Sequence, residues 1–150
     1  MIVEPTRTLS RDLGPVSAHT DLAHLLNGLV VLSVGRASSE QAAVNRALKA
    51  TGAVVLVRSS AAEMAQMLRA FIPSLVVTEA ASADDAGAAV VRAIRRLPPD
   101  DGGALPVIGI CARTMDDFST IAGQFQGVLV DPFEPRDVAR TVLRVMKSSS

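Results

Sequence analysis

The stretch PSLVVTEAASADDAG, residues 73–87, runs apolar as far as Glu79, stops, and passes through a small acidic loop to Gly87. Leu75 to Glu79 is too short for a helix and rich in β-branched side chains, so it reads as a strand buried on both faces. A strand that ends in a carboxylate is a place to look for function. In open α/β sheets, ligands and chemistry gather at the carboxyl ends of the strands, where loops leave a crevice lined by side chains and helix N-termini. The rest of the chain reads as a frame that holds Glu79 at such an edge.

Upstream, Leu29 to Val34 and Ala53 to Arg58 are two more apolar strands. Each leads into a helix whose start carries a capping box, Ser38 with Gln41 and Ser60 with Glu63. The first of these helices ends at Gly52. Met64, Met67, Leu68 and Phe71 make the expected buried stripe of the second; a Met-rich stripe also suits an adaptable binding face, but helical spacing favours the core. Downstream, Asp84 to Leu97 predicts a helix with Val90, Val91 and Ile94 inward, PPDDGGALP is a loop, and Pro106 to Cys111 is a fourth strand. Thr114 with Asp117 opens a short fourth helix toward Ala122 and Gly123, and Gly127 to Asp131 is a fifth strand. A last amphipathic helix from Glu134 turns Val138, Val142 and Leu143 inward.

Before all this, residues 1–18 are polar, carry Pro5 and Pro15, and show neither period. Thr20 to Asn27 predicts a short helix with Leu22, Leu25 and Leu26 on one face and Gly28 as its stop. The expected organisation is therefore an N-terminal arm over 1–28, one domain over 29–147 and a tail over 148–150. Five strands alternating with five short-linked helices imply an α/β fold, a parallel sheet with helices on both faces and right-handed crossovers.

Composition narrows the function. With 150 residues and 49% hydrophobic content the chain suits a single core. A formal net charge of zero argues against bulk attraction to nucleic acid or anionic membrane, and four Phe with no Trp or Tyr leave little to stack bases. Cys111 stands alone, which excludes an intramolecular disulfide and fits a reducing compartment. There is no run of about 18 apolar residues and no signal-like start, so a cytoplasmic chain without membrane insertion is expected. His19 and His24 read as surface histidines on the short helix, and GRASSE after the first strand lacks the glycine spacing of a nucleotide loop.

In order and spacing the elements resemble the receiver domain of bacterial two-component response regulators, the CheY-like, flavodoxin-like fold with strand order 2-1-3-4-5. The resemblance covers about residues 29–147 and is carried by PSLVVTE, the spacing from Glu79 to Gly87, PVIGICA, and VDPFEP preceded by Ala122 and Gly123. It implies a cis bond between Asp131 and Pro132. It also implies a set of positions at which this chain departs from the family. The acidic pair after the first strand reads Gly35 and Arg36, the phosphate-accepting aspartate reads Glu79, and the hydroxyl at the end of the fourth strand reads Cys111. The lysine before Pro132 reads Asp131, and the aromatic switch position reads Val128.

Phosphoryl transfer to a carboxylate needs an in-line nucleophile, a divalent cation and a group to receive developing negative charge. With the acidic pair replaced, the expectation is a degenerate receiver: no Mg²⁺ or other metal, no cofactor, no catalytic residue and no enzymatic activity. Arg36 is placed to pair with Glu79 or Asp131 in the metal's stead. Glu79 either imitates a phosphorylated aspartate or is a solvated strand-end residue, and Cys111 reads as a small apolar strand residue. The function implied is phosphorylation-independent signalling or localisation through protein contact. The partner would be a histidine kinase, an effector, or a component of polar or pilus machinery. The resemblance places the interaction surface, and any homodimer, on the fourth helix, fifth strand and fifth helix, which takes in Val128 and Phe133; Arg136, Arg140 and Arg144 line one side of the last helix, either a solvated face or a docking stripe for an acidic partner or a phosphate-bearing ligand. Two alternatives use the same fold: a sensor of a small ligand or nucleotide second messenger, and an atypical receiver that still accepts phosphate.

Overall fold

The computed structural model describes residues 22–36, 38–80, 86–111 and 124–149. Its centre is a five-stranded parallel sheet of β1 (Val30–Val34), β2 (Val54–Arg58), β3 (Leu75–Glu79), β4 (Val107–Cys111) and β5 (Gly127–Val130), in the order β2-β1-β3-β4-β5. Register is set by pairs such as Val34 with Thr78, Glu79 with Ile110 and Cys111 with Val130. The strands connect through α1 (Ser39–Ala50), α2 (Ala61–Leu68) and α3 (Ala86–Arg95), and a long final helix α4 (Pro135–Ser149) closes the chain. The fourth helix expected from Thr114 lies outside the described residues, and so does the N-terminal arm before Leu22.

Side-chain alternation along the strands divides the core into two layers. Val31, Leu75, Val77, Ile108 and Leu129 meet α1 and α4 through Val44, Leu48, Val138, Val142 and Val145. Leu32, Val76 and Val107 meet α2 and α3 on the other side through Met64, Leu68, Val90 and Ile94. This is the doubly wound arrangement that the apolar runs imply, since strands buried on both faces have no polar side to alternate with.

Several positions expected inside are exposed. Phe71 is 43% exposed, because α2 ends at Leu68 and Phe71 falls in the turn beyond it. Leu143 is 39% exposed, and Ala139 and Val145 instead join Val138 and Val142 inside. In the short N-terminal segment, Leu26 is buried and Leu25 faces out; among the described residues the helical turn takes in 22–24, and the Leu26 N–H is held by the Thr51 carbonyl at 2.7 Å. At the other end α4 runs through Ser149, so Ser148 continues the helix instead of starting a tail.

The capping boxes differ from one another. Ser60 accepts from the Glu63 N–H at 3.2 Å and Glu63 returns to the Ser59 N–H at 2.9 Å, which anchors α2 at both groups. Ser38 accepts from the Gln41 N–H at 3.1 Å, but the Gln41 side chain does not return to the cap. It turns inward, and that difference shapes the carboxyl edge. At the start of α4 a single cap bond goes unnoticed in the sequence: Asp137 accepts from the Glu134 N–H at 2.8 Å.

Candidate functional site

The parallel register carries the ends of β1, β3, β4 and β5 to one edge, and with them all six residues singled out for the degenerate pocket. Gly35 and Arg36 follow β1, Glu79 ends β3, Cys111 ends β4, and Asp131 and Pro132 follow β5. Backbone bonds tie the edge together: the Gly35 N–H to the Arg58 carbonyl at 2.9 Å, the Ala80 N–H to Ile110 at 2.9 Å and the Asp131 N–H to Cys111 at 3.0 Å. The bond between Asp131 and Pro132 is cis.

Their side chains do not form one cluster. Arg36, Asp131 and Pro132 are exposed and Glu79 is half-buried, whereas Cys111 is buried in the layer with Val107 and Phe125. The thiol thus packs as an apolar strand residue would. Among the described residues no ion pair joins Arg36 to Glu79 or Asp131, so the salt bridge expected in place of a metal is not formed. Nor do any three His, Cys, Asp or Glu side chains converge as metal ligands among the described residues.

What fills the edge beneath Gly35 is Gln41, from the first turn of α1. It is 2% exposed, and its amide nitrogen donates to Ser33 Oγ at 2.8 Å and to the Val34 carbonyl at 2.9 Å. The same carbonyl accepts from Thr78 Oγ1 at 2.8 Å. The other end of the amide, Oε1, is buried and accepts nothing. A Cβ on Gly35 would stand 3.0 Å from that oxygen, and Gly35 has φ +133°, so glycine is required there twice over, for conformation and for room. The result is a neutral polar plug of Ser33, Gln41 and Thr78 at the end of the central strands. Sequence reading assigned Gln41 to a cap and missed this. The signal was Ser33 inside an otherwise apolar strand, because a buried hydroxyl needs a partner.

Close packing also fixes the far side of Glu79. A Cβ on Gly87 would collide with the Glu79 carbonyl, so the first turn of α3 rests directly on the end of β3. The residues between, 81–85, are outside the described set.

The expected interaction surface is split. Arg136, Arg140 and Arg144 lie exposed along α4. Phe133 packs against the layer of α1 and α4, beside a shallow cavity shared with Ala43, Arg46 and Ala50, while Val128 packs against the opposite layer. Val130, two residues on from Val128 and on its side of β5, is 37% exposed and was not anticipated.

No protein-family model matches the sequence, and no curated protein is similar to it in sequence. Solved structures are similar in fold. The receiver domain of a sensor histidine kinase from Pseudomonas aeruginosa, which has a magnesium ion coordinated in its active-site cleft, aligns with TM-score 0.66 at 17% identity over 80% of this chain and 98% of that one. A putative response regulator from Chloroflexus aurantiacus aligns with TM-score 0.67 at 20% identity over 79% of this chain and 98% of its own. A chemotaxis response regulator of Vibrio cholerae gives TM-score 0.63 at 20% identity, over 78% and 98%. With the strand order β2-β1-β3-β4-β5, these likenesses establish that the chain has the CheY-like receiver fold.

Proposed function

We propose that this chain is a receiver-fold signalling or localisation module that works through protein contact and does not accept phosphate. The observation that carries the reading is the carboxyl edge, where a neutral plug built on Gln41 occupies the region below Gly35 and Arg36. Phosphoryl transfer would need hard oxygen ligands for a divalent cation beside the acceptor and a hydroxyl or cation for the developing charge. Glu79 supplies one carboxylate, half-buried; Arg36 brings a positive charge where a cation would sit, and the Cys111 side chain is turned into the core. On this reading the arrangement is assigned no catalytic role, and no cofactor is called for. The partner would be a histidine kinase, an effector or a polar or pilus component, and the exposed Arg136, Arg140 and Arg144 suit an acidic surface on it.

The test is a titration with beryllofluoride and Mg²⁺ followed by amide chemical shifts, in the wild type and in Glu79→Asp. The expected result is no response at Gly35, Glu79, Cys111 or Asp131 in the wild type. A saturable response at those amides would overturn the reading and make the chain an atypical phosphate acceptor. A thermal shift produced by one member of a nucleotide panel would instead favour a ligand sensor.

A further inference from the structure

The edge strand β2 is unusual for what it leaves uncovered. Its sequence is VVLVR, with no Pro, Gly or Lys, and two of its valines are open to solvent, Val54 at 55% and Val57 at 50%. Natural edge strands are commonly blunted by charge, proline or a bulge, because a free row of backbone groups is a template for another strand. Here the free row can be identified. The Val54 N–H bonds the Leu29 carbonyl at 3.0 Å and the Arg58 carbonyl accepts from Gly35 at 2.9 Å, in a parallel register of Val30 with Val54. Alternation then turns the backbone groups of Val54, Leu56 and Arg58 toward β1 and those of Val55 and Val57 outward. One of the outward groups is covered: the Val57 carbonyl accepts from the guanidinium of Arg58 at 2.7 Å. The Val55 N–H and carbonyl and the Val57 N–H have no partner among the described residues.

We propose that this edge pairs with β2 of a second copy, antiparallel about a two-fold axis through Leu56, to make one continuous sheet across two molecules. A single register engages every outward group: Val55 opposite Val57 of the second copy, Val57 opposite its Val55, and Leu56 opposite Leu56. That exchange provides about four hydrogen bonds, with the Arg58 side chain lifting off the Val57 carbonyl. The same register covers both exposed valines, which lie on opposite faces of the strand. Val57 meets Val55 on one face, and Val54 meets the methylene stem of Arg58 on the other. No charged residue faces a like charge along the pair, and a chain of zero formal net charge carries no bulk repulsion against its own copy.

The full chain tests this by sedimentation equilibrium over a concentration series, with amide hydrogen exchange on the same samples. The expected result is a mass rising from 15.6 kDa to twice that value, with exchange at Val55 and Val57 slowing as the dimer fills. Val57→Lys and Val54→Lys, each at an exposed site on a different face, should both lose the dimer while keeping the wild-type circular dichroism. A monomer at every concentration would overturn the proposal, as would a dimer that survives both substitutions. Protection at Val55 and Val57 that does not change with concentration would also overturn it, because the edge would then be covered by the chain's own residues.

Discussion

Gln41 is the residue on which the carboxyl edge turns, and its two ends make opposite demands. The nitrogen satisfies Ser33 and the Val34 carbonyl, while Oε1 is buried against Gly35 without a donor. A buried acceptor left unpaired costs of order 1–3 kcal/mol, so part of what the two donated bonds contribute is offset within the same side chain. Gln41→Ala removes both bonds and leaves a void, and urea unfolding should show a loss of about 2–3 kcal/mol. Gly35→Ala meets the Oε1 contact and a left-handed φ together and should cost about 1–2 kcal/mol. In the double variant the steric part disappears with the Gln41 side chain while the φ part remains. The combined loss should therefore fall short of the sum by about 0.5–1 kcal/mol; strict additivity would mean that the contact is relaxed at no cost. Neither end of this arrangement could be read from the cap motif, which fixes the Ser38 to Gln41 backbone bond but leaves the glutamine side chain free to choose. Glu79, by contrast, was legible because an abrupt end to an apolar run needs no tertiary information.

At the level of elements, the caps and one clamp decide how the helices sit on the sheet. The α2 box is complete, and the hydrogen bonds that Ser59 gives to Glu63 hold its carboxyl below the ordinary glutamate range, with nearby Arg58 adding in the same direction. A lowered pKa adds stability that is present above the unfolded-state value and disappears as the pH falls through the folded one. The wild type should thus lose more thermal midpoint than Glu63→Gln between neutral pH and the acid side of the glutamate range. Equal losses would mean that the box is not formed in solution. Ser60→Ala should cost about 1 kcal/mol at neutral pH, the usual worth of an N-cap.

The clamp is Arg95, at the end of α3. Its guanidinium donates to the Gly103 carbonyl at 2.9 Å, the Leu105 carbonyl at 2.7 Å and Gln126 Oε1 at 2.7 Å, and Gln126 Oε1 in turn accepts from the Val107 N–H at 2.8 Å. One planar fork therefore ties the loop before β4 to the residue that precedes β5. Burial lowers the Arg95 pKa, but an arginine remains charged across the working range. Arg95→Lys keeps the charge but cannot span three acceptors, and should lose about 1–2 kcal/mol, close to the loss in Arg95→Ala. Full rescue by lysine in chemical denaturation would reduce the clamp to simple charge. PPDDGGALP announced a loop by composition, yet nothing in it pointed to an arginine eight residues back along the chain as its anchor. Sequence punctuation locates loops, and the bonds that hold them are tertiary.

Across the whole molecule, the sheet is strongly graded from centre to edge. β1, β3 and β4 are buried along nearly their entire length, and the two layers meet there with Leu32 and Val76 on one side and Val31 and Val77 on the other. β2 and β5 flank them with open positions. A run that is apolar on both faces marks a strand of a sheet covered on both sides, but does not by itself give that strand's place in the order. VVLVR in β2 reads just as apolar as VVLSV in β1, so the sequence pattern alone does not say which of the two is the edge; the answer lies in the crossovers, which carry the chain from β2 back past β1 to β3. Mutational cost should follow position and not composition. Leu32→Ala, at a fully buried site in β1, should cost about 2–5 kcal/mol, as large-to-small changes in a closed core do. Val57→Ala, two strands' width from the centre of the fold and half exposed, should cost no more than about 0.5 kcal/mol when measured at concentrations low enough to keep the chain monomeric. If the cost of Val57→Ala rises with protein concentration while that of Leu32→Ala does not, the edge is stabilised by association and the centre by the chain's own packing. If both costs are independent of concentration, the gradient is the property of a monomer, and the exposed valines of β2 contribute little to its stability.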